Sequence, residues 1–248
     1  MTPVLAVRGA EKRFGAVVGL DGVDLEVNAG EVLALLGDNG AGKSTLIKCL
    51  SGALALDRGM IEMDGRRVSI HTPADARELG IETVYQDLAL FDNLRPADNF
   101  YAGREAAGPR WLPRSIRVLK RHEMTVTTRQ TLARLQVNLD DHGAVGLLSG
   151  GQRQGVAVAR AAAFASRVVI LDEPTAALGV RESRRVLDLI LRLREEGKAL
   201  IVVSHAMDHV MEVADRAVVM RRGRKVGELV PSAETHAEIV SLIVGGGG

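Results

Sequence analysis

Four short segments carry apolar residues without interruption: "VLALLG" (32–37), "VVILD" (168–172), "ALIVVS" (199–204) and "AVVM" (217–220). Alternation would mark strands with one wet face. Unbroken apolarity marks strands covered on both faces, as in a parallel sheet. Helical periodicity fills several intervals, notably "GKSTLIKCLSGAL" and "VRESRRVLDLILRLREEG", the second closed by a glycine after charged residues. The pattern predicts an α/β domain with a mostly parallel sheet.

The ends of that pattern differ. "VLAVRGA" and "VDLEV" read as short strands around an "FGAVVGLDG" loop. "IEMDGRRVSI" reads as a hairpin turning at Asp64-Gly65, a pair suited to a type I′ turn. An antiparallel β region is therefore expected at the N-terminus. Residues 87–165 break the alternation and read as mostly helical, with loop signals at Pro96, Gly103, Gly108, Pro109 and Pro113. The expected organisation is one domain: core segments 1–86 and 166–244, a helical lobe at 87–165, and a flexible glycine tail at 245–248.

One helix in that lobe starts oddly. In "LLSGGQRQGVAVARAAAF" Ser149 fits an N-cap and Gln152 the third helical position, the order of a capping box. Gly150 and Gly151, poor helix formers, fill the first turn. A bare first turn leaves backbone N–H groups open, and a helix N-terminus attracts anions.

Composition narrows the partners. Among 248 residues, 32 Lys and Arg nearly balance 31 Asp and Glu. That balance, with aromatics at 3%, gives no support for nucleic-acid binding. No run reaches a membrane span, and the N-terminus lacks a signal-peptide pattern, so a cytosolic chain is expected. The single Cys49 fits a reducing compartment and, at helical spacing with Leu46 and Leu50, reads as core. Trp111 reads as a local packing anchor.

The chemistry is concentrated at strand ends. "GDNGAGKST" (37–45) fits G-x-x-x-x-G-K-[ST] between a strand and a helix. Its glycines let successive N–H groups converge on phosphate oxygens. Lys43 brings a charge to β- and γ-phosphates, and Ser44 a hydroxyl to Mg2+. "VVILDEP" ends in Asp172 and Glu173, which strand alternation would turn to opposite sides. Asp172 is assigned to the metal and Glu173 to the base. Gln86, after "IETVY", supplies a neutral amide for Mg2+ or water, and His205 follows another strand at the same expected edge.

Taken in order, "GDNGAGKST", Gln86, "LSGGQRQ", "VVILDEP" and His205 resemble an ATP-binding cassette (ABC) ATPase over nearly the whole chain. The "LSGGQ" element is the most specific part of that likeness. The resemblance implies a P-loop NTPase fold, ATP and Mg2+ as ligands, and ATPase activity. It implies a second cassette chain, paired head to tail, with ATP between the phosphate loop of one copy and "LSGGQ" of the other. Ser149, Gly150, Gly151 and Gln152 would then meet the γ-phosphate on the partner. Phe14 would stack on adenine, and Gly37, Asp38, Asn39, Gly40, Ala41, Gly42, Lys43, Ser44 and Thr45 would hold the phosphates. Gln86 would link the Mg2+ site to the lobe, Glu173 would polarise water, and His205 would contact the γ-phosphate. "DLALFDNLRPADN" resembles the surface that receives a short helix of a membrane permease.

"EPTAALGVRES", "SIHTPADARELGIETVYQDLAL" and "NFYAGRE" are similar to cassettes of ribose, xylose and fructose importers. The implied setting is the cytoplasmic face of the cell membrane, with a periplasmic or extracellular sugar-binding protein as indirect partner and no nucleic acid. Gly179 departs from the family pattern, which usually has an acid bridging the two copies there. A cassette for an amino acid or lipid, a non-transport ATPase and a nucleotide-sensing module stay open as alternatives.

Overall fold

A computed structural model describes residues 2–108, 118–140 and 142–245. Trp111, Pro109, Pro113 and the last three glycines lie outside the described residues. In chain order the structure runs β1 (Leu5–Phe14), β2 (Val17–Val27), β3 (Val32–Leu36), α1 (Lys43–Leu50), β4 (Arg58–Met63) and β5 (Arg66–Val68). It continues with α2 (Pro73–Glu78), β6 (Ile81–Val84), α3 (Pro96–Phe100), β7 (Ala107–Gly108), β8 (Val118–Leu119), α4 (Arg121–Arg134) and α5 (Gly150–Phe164). The last elements are β9 (Val168–Asp172), α6 (Val180–Glu195), β10 (Ala199–Val203), α7 (Met207–Val213), β11 (Arg216–Arg221), β12 (Arg224–Leu229) and α8 (His236–Val244).

All four apolar runs become strands of one six-stranded sheet, ordered β12-β11-β3-β10-β9-β6. From β11 to β6 every pairing is parallel, and β12 is an antiparallel edge. Neighbouring residues of one strand enter different cores. Leu33, Ile170, Ile201 and Val203 join a cluster with α1 and the antiparallel strands. Val32, Val169, Leu171, Leu200 and Val202 join a cluster with α5 and α6. Burial on both faces thus accounts for the uninterrupted apolar lettering. Cys49 is buried in the first cluster, where burial pushes its thiol up to about 11, as expected of a core residue.

The antiparallel sheet has the order β2-β1-β4-β5. The Asp64-Gly65 turn forms between β4 and β5, with both residues at positive φ, 51° and 73°. The "FGAVVGLDG" loop does not form. β1 and β2 run on until Phe14 faces Val17, leaving only Gly15-Ala16 to turn. The outer halves of these strands are only partly buried, so no apolar run marked them.

Residues 87–165 contain α3, α4, a short 3-10 turn at Val145–Leu147, and α5. They also contain the small β7–β8 pair, which the helical reading of this stretch left out. Phe100, Leu132, Leu135 and Val156 share one apolar cluster with Val169 and Leu171 of the sheet.

Candidate functional site

Parallel strands carry their C-terminal ends to one edge of the sheet, where α/β folds bind ligands. The phosphate loop follows β3, Asp172 ends β9, His205 follows β10, and Gln86 follows β6. Together they line a cleft of about 330 Å3 with Phe14, Asn39, Gly40, Ala41, Gly42, Lys43, Ser44, Thr45 and Glu173. Val17, Val18 and Gly19 of β2 form a further wall. Those three fell in the stretch read as loop, so no pattern marked them.

The loop needs its glycines. Gly37 and Gly42 take φ of 144° and 104°. A Cβ at Gly37 would stand 2.3 Å from the Met220 carbonyl oxygen, and one at Gly42 2.6 Å from that of Gly19. Gly42 caps α1 without a side chain, so the first N–H groups of the helix are left to other acceptors. Gly37 and Asp38 do not line the cleft. Their carbonyl oxygens accept from Lys43 Nζ at 2.6 and 3.1 Å instead. Lys43 is buried, and desolvation lowers its pKa against the pull of Glu173, Asp172 and Asp38.

The two acids differ, but not through strand alternation. β9 stops at Asp172, and Glu173 turns into the left-handed region at φ 52°. Its N–H donates to the Val203 carbonyl at 3.0 Å, which fixes the turn on β10. Burial raises the pKa of both carboxyls; Lys43 and His205 oppose the rise at Asp172, and His205 chiefly opposes it at Glu173. Glu173 Oε1 lies 3.2 Å from His205 Nε2 without a hydrogen bond of its own. An oxygen shielded from solvent and unpaired is available to a water or ligand. Ser44, Gln86 and Asp172 present hard oxygen donors to the same cleft, the donor type Mg2+ takes alongside phosphate oxygens.

Gln86 also lines a second groove with Asp87, Gly150, Gln154, Ala177 and Leu178, between the cleft and the start of α5. Ser149, Gly150, Gly151 and Gln152 do not line the strand-end cleft of their own chain. Ser149 caps α5 as expected: its Oγ accepts from Gln152 N–H at 3.3 Å, and Gln152 Oε1 accepts from Ser149 N–H at 3.0 Å. Gly151 has a second cause that the sequence hid. A Cβ there would sit 2.4 Å from Cγ of Glu182 on α6. Gly179 is the N-cap of α6, and Glu182 Oε2 lies 2.7 Å from where a Cβ at position 179 would be.

A further groove of about 220 Å3 is lined by Ser51, Arg77, Leu88, Ala89, Arg104 and Arg160, among others. Arg160 donates to the Leu88 and Ala89 carbonyls at 3.0 Å each. Arg104 pairs with Glu82 through two hydrogen bonds, at 2.7 and 3.2 Å, and lies over the Phe164 ring at 4.2 Å. Among the described residues, no helix is long and apolar enough to cross a membrane.

Residues 20–176 match the family model described as ABC transporter. The chain is 49% identical over 247 residues to the fructose import ATP-binding protein FrcA of Rhizobium meliloti, covering 98% of this chain and 94% of that one. It is 45% identical to the ribose import ATP-binding protein RbsA 1 of Rubrobacter xylanophilus, covering 99% of this chain but 48% of that longer one. Among solved structures, a nucleotide-free ATP-binding cassette from an ABC transporter superposes with TM-score 0.81 at 26% identity, over 98% of this chain and 95% of the other. A dimeric cassette in a post-hydrolysis state, bound to ADP and Pi, shares the fold with TM-score 0.74 at 22% identity, over 92% of this chain and 99% of that one. A strand-end phosphate loop facing two acids, on a chain so matched along its length, is the ATPase cassette of a transporter, and this chain belongs to the ABC transporter family.

Proposed function

We propose that this chain is the ATP-hydrolysing subunit that powers monosaccharide import through a membrane permease, at the cytoplasmic face of the membrane. The carrying observation is the cleft that gathers Lys43, Ser44, Gln86, Asp172, Glu173 and His205 at one sheet edge. Identity of 49% to a fructose import ATP-binding protein supports the cargo class.

ATP enters with adenine against Phe14, which is 46% exposed at the cleft rim. The loop from Gly37 to Thr45 receives the phosphates, and Lys43 exchanges its loop carbonyls for phosphate oxygens. Ser44, Gln86 and Asp172 would hold Mg2+, which would offset charge on the bound phosphates. Glu173 accepts the proton of the attacking water, and burial moves its carboxyl toward the pKa range useful to a base. His205, beside it, contacts the γ-phosphate.

Ser149 and the Gly151 and Gln152 N–H groups serve the γ-phosphate of a second, inverted copy. Their absence from the cleft of their own chain supports this reading. The groove with Leu88 and Ala89 takes the permease segment, within the Gln86–Asn99 stretch. The chain folds as one domain in which 87–165 forms the signature lobe.

Two measurements test the proposal. Hydrolysis by the reconstituted complex is assayed against a sugar panel, and stimulation by no monosaccharide overturns the cargo assignment. A Lys43→Ala chain is then mixed with a chain altered only at the exposed Ser149, Ser149→Arg, since one composite site keeps all its parts. Activity above either variant alone is expected; none above either overturns the shared site.

A further inference from the structure

The base proposed above sits at the head of a strained turn. Glu173 and Ala177 both take positive φ, 52° and 57°, a costly region for residues with a Cβ. Such conformations persist where surrounding contacts fix them. Inside the turn, Ala176 N–H donates to the Glu173 carbonyl at 3.1 Å and Leu178 N–H to the Thr175 carbonyl at 3.4 Å. Two contacts tie it outward. One is the Glu173 N–H bond to Val203 on β10. The other joins Thr175, only 8% exposed, to α7: its Oγ1 lies 3.0 Å from His209 Nδ1. Either atom donates, according to the imidazole tautomer.

The chain from the end of β10 into α7 therefore meets the turn at two histidines. His205, just before the helix, stands against the Glu173 carboxylate, and His209, one turn on, holds the hydroxyl two residues later. Pro174 and Thr175 pack with Ala34, Val202 and Val210 in the small apolar space beneath. We propose that His209 is a positioning residue for hydrolysis: through Thr175 it fixes the turn from Glu173 to Leu178, and so holds the base beside His205. The inference rests on Glu173 as base. No feature of the sequence marked His209 or Thr175, because neither lies in the cleft.

The test uses the full chain in single-turnover ATP hydrolysis, with nucleotide affinity measured in parallel. His209→Ala is expected to lower the hydrolysis rate about tenfold, the scale of one lost hydrogen bond, with ATP affinity unchanged. His209→Asn, whose amide reaches the Nδ1 position, restores most of the rate, while His209→Gln, reaching the Nε2 position, restores less. Thr175→Val reproduces the loss, and the double variant adds nothing to it. Hydrogen exchange at Ala176 and Leu178 rises in His209→Ala and returns in His209→Asn. A native rate in His209→Ala, no rescue by Asn over Gln, or additive losses overturns the proposal. Should His209→Ala fail to fold, the Thr175→Val rate and exchange decide alone. Glu173→Gln separates the two readings: if it hydrolyses normally the base assignment falls, whereas a stalled Glu173→Gln beside a native His209→Ala removes only the positioning role.

Discussion

Glu173 Oε1 lies 3.2 Å from His205 Nε2, yet it has no hydrogen bond and its carboxyl is held in a desolvated turn. Burial is the largest influence on that carboxyl and raises its pKa; His205 opposes it. The folded chain therefore binds this proton more tightly than the unfolded chain does. Stability falls as pH rises from the ordinary glutamate value of about 4.3 through the raised folded one, and the cost is fully present above both. Glu173→Gln removes it. The variant should melt above the native chain at about pH 7.5, and the gain should vanish near pH 4. Thermal melts of the nucleotide-free chains at both pH values check this, and an unchanged gap between them contradicts it. The same variant should bind ATP and stall its hydrolysis.

Lys43 reaches two loop carbonyls and, with nucleotide, would turn to phosphate oxygens. Lys43→Ala loses charge-assisted bonds, each contributing about 1.5–3 kcal/mol. ATP affinity should drop about 10- to 100-fold. Titration with a fluorescent ATP analogue measures the change, and native affinity would count against the loop as the phosphate site.

Gly151 is a contact with Glu182 as well as a bare helix start. Gly151→Ala should destabilise the chain by about 1–3 kcal/mol through overpacking. Glu182→Ala in the same chain should recover only part of that loss, because it removes Cγ at 2.4 Å but leaves Cβ at 2.7 Å. Urea unfolding of the two singles and the double gives the coupling. Equal loss in the presence or absence of Glu182 would show that the α5–α6 approach is not the cause.

Arg104 joins Glu82 of β6 to the Phe164 ring of α5, across the join between sheet and helices. Arg104→Lys keeps the charge but loses the planar fork and the stacked face. A loss of about 1–2 kcal/mol is expected. Thermal melts measure the loss, and exchange protection near Tyr101 should fall with it.

The sheet was legible because each central strand feeds two cores, so its lettering is apolar throughout. The Asp64-Gly65 turn and the Ser149–Gln152 cap were legible because their chemistry is local. The outer halves of β1 and β2, and the edge strand β12, were not, because partly buried strands need no apolar run. The cleft residues in the phosphate loop and at strand ends followed from topology. Strand alternation was expected to set the two acids apart, but the chain leaves the strand at Glu173, which only its backbone reveals. Gly151 against Glu182 and Thr175 against His209 are tertiary meetings, and no spacing in the sequence announces them.

Helix α5 opens at Ser149, and about 16 Å along its axis Arg160 grips the Leu88 and Ala89 carbonyls. A rigid helix of that length would act as a lever arm. A tilt of about 10° at its first turn carries the far end through about 3 Å, enough to drag a gripped peptide segment by most of one residue. On the proposed function, motion begun where a second copy meets Ser149 would arrive at the Leu88–Ala89 strip that the proposal gives to the permease.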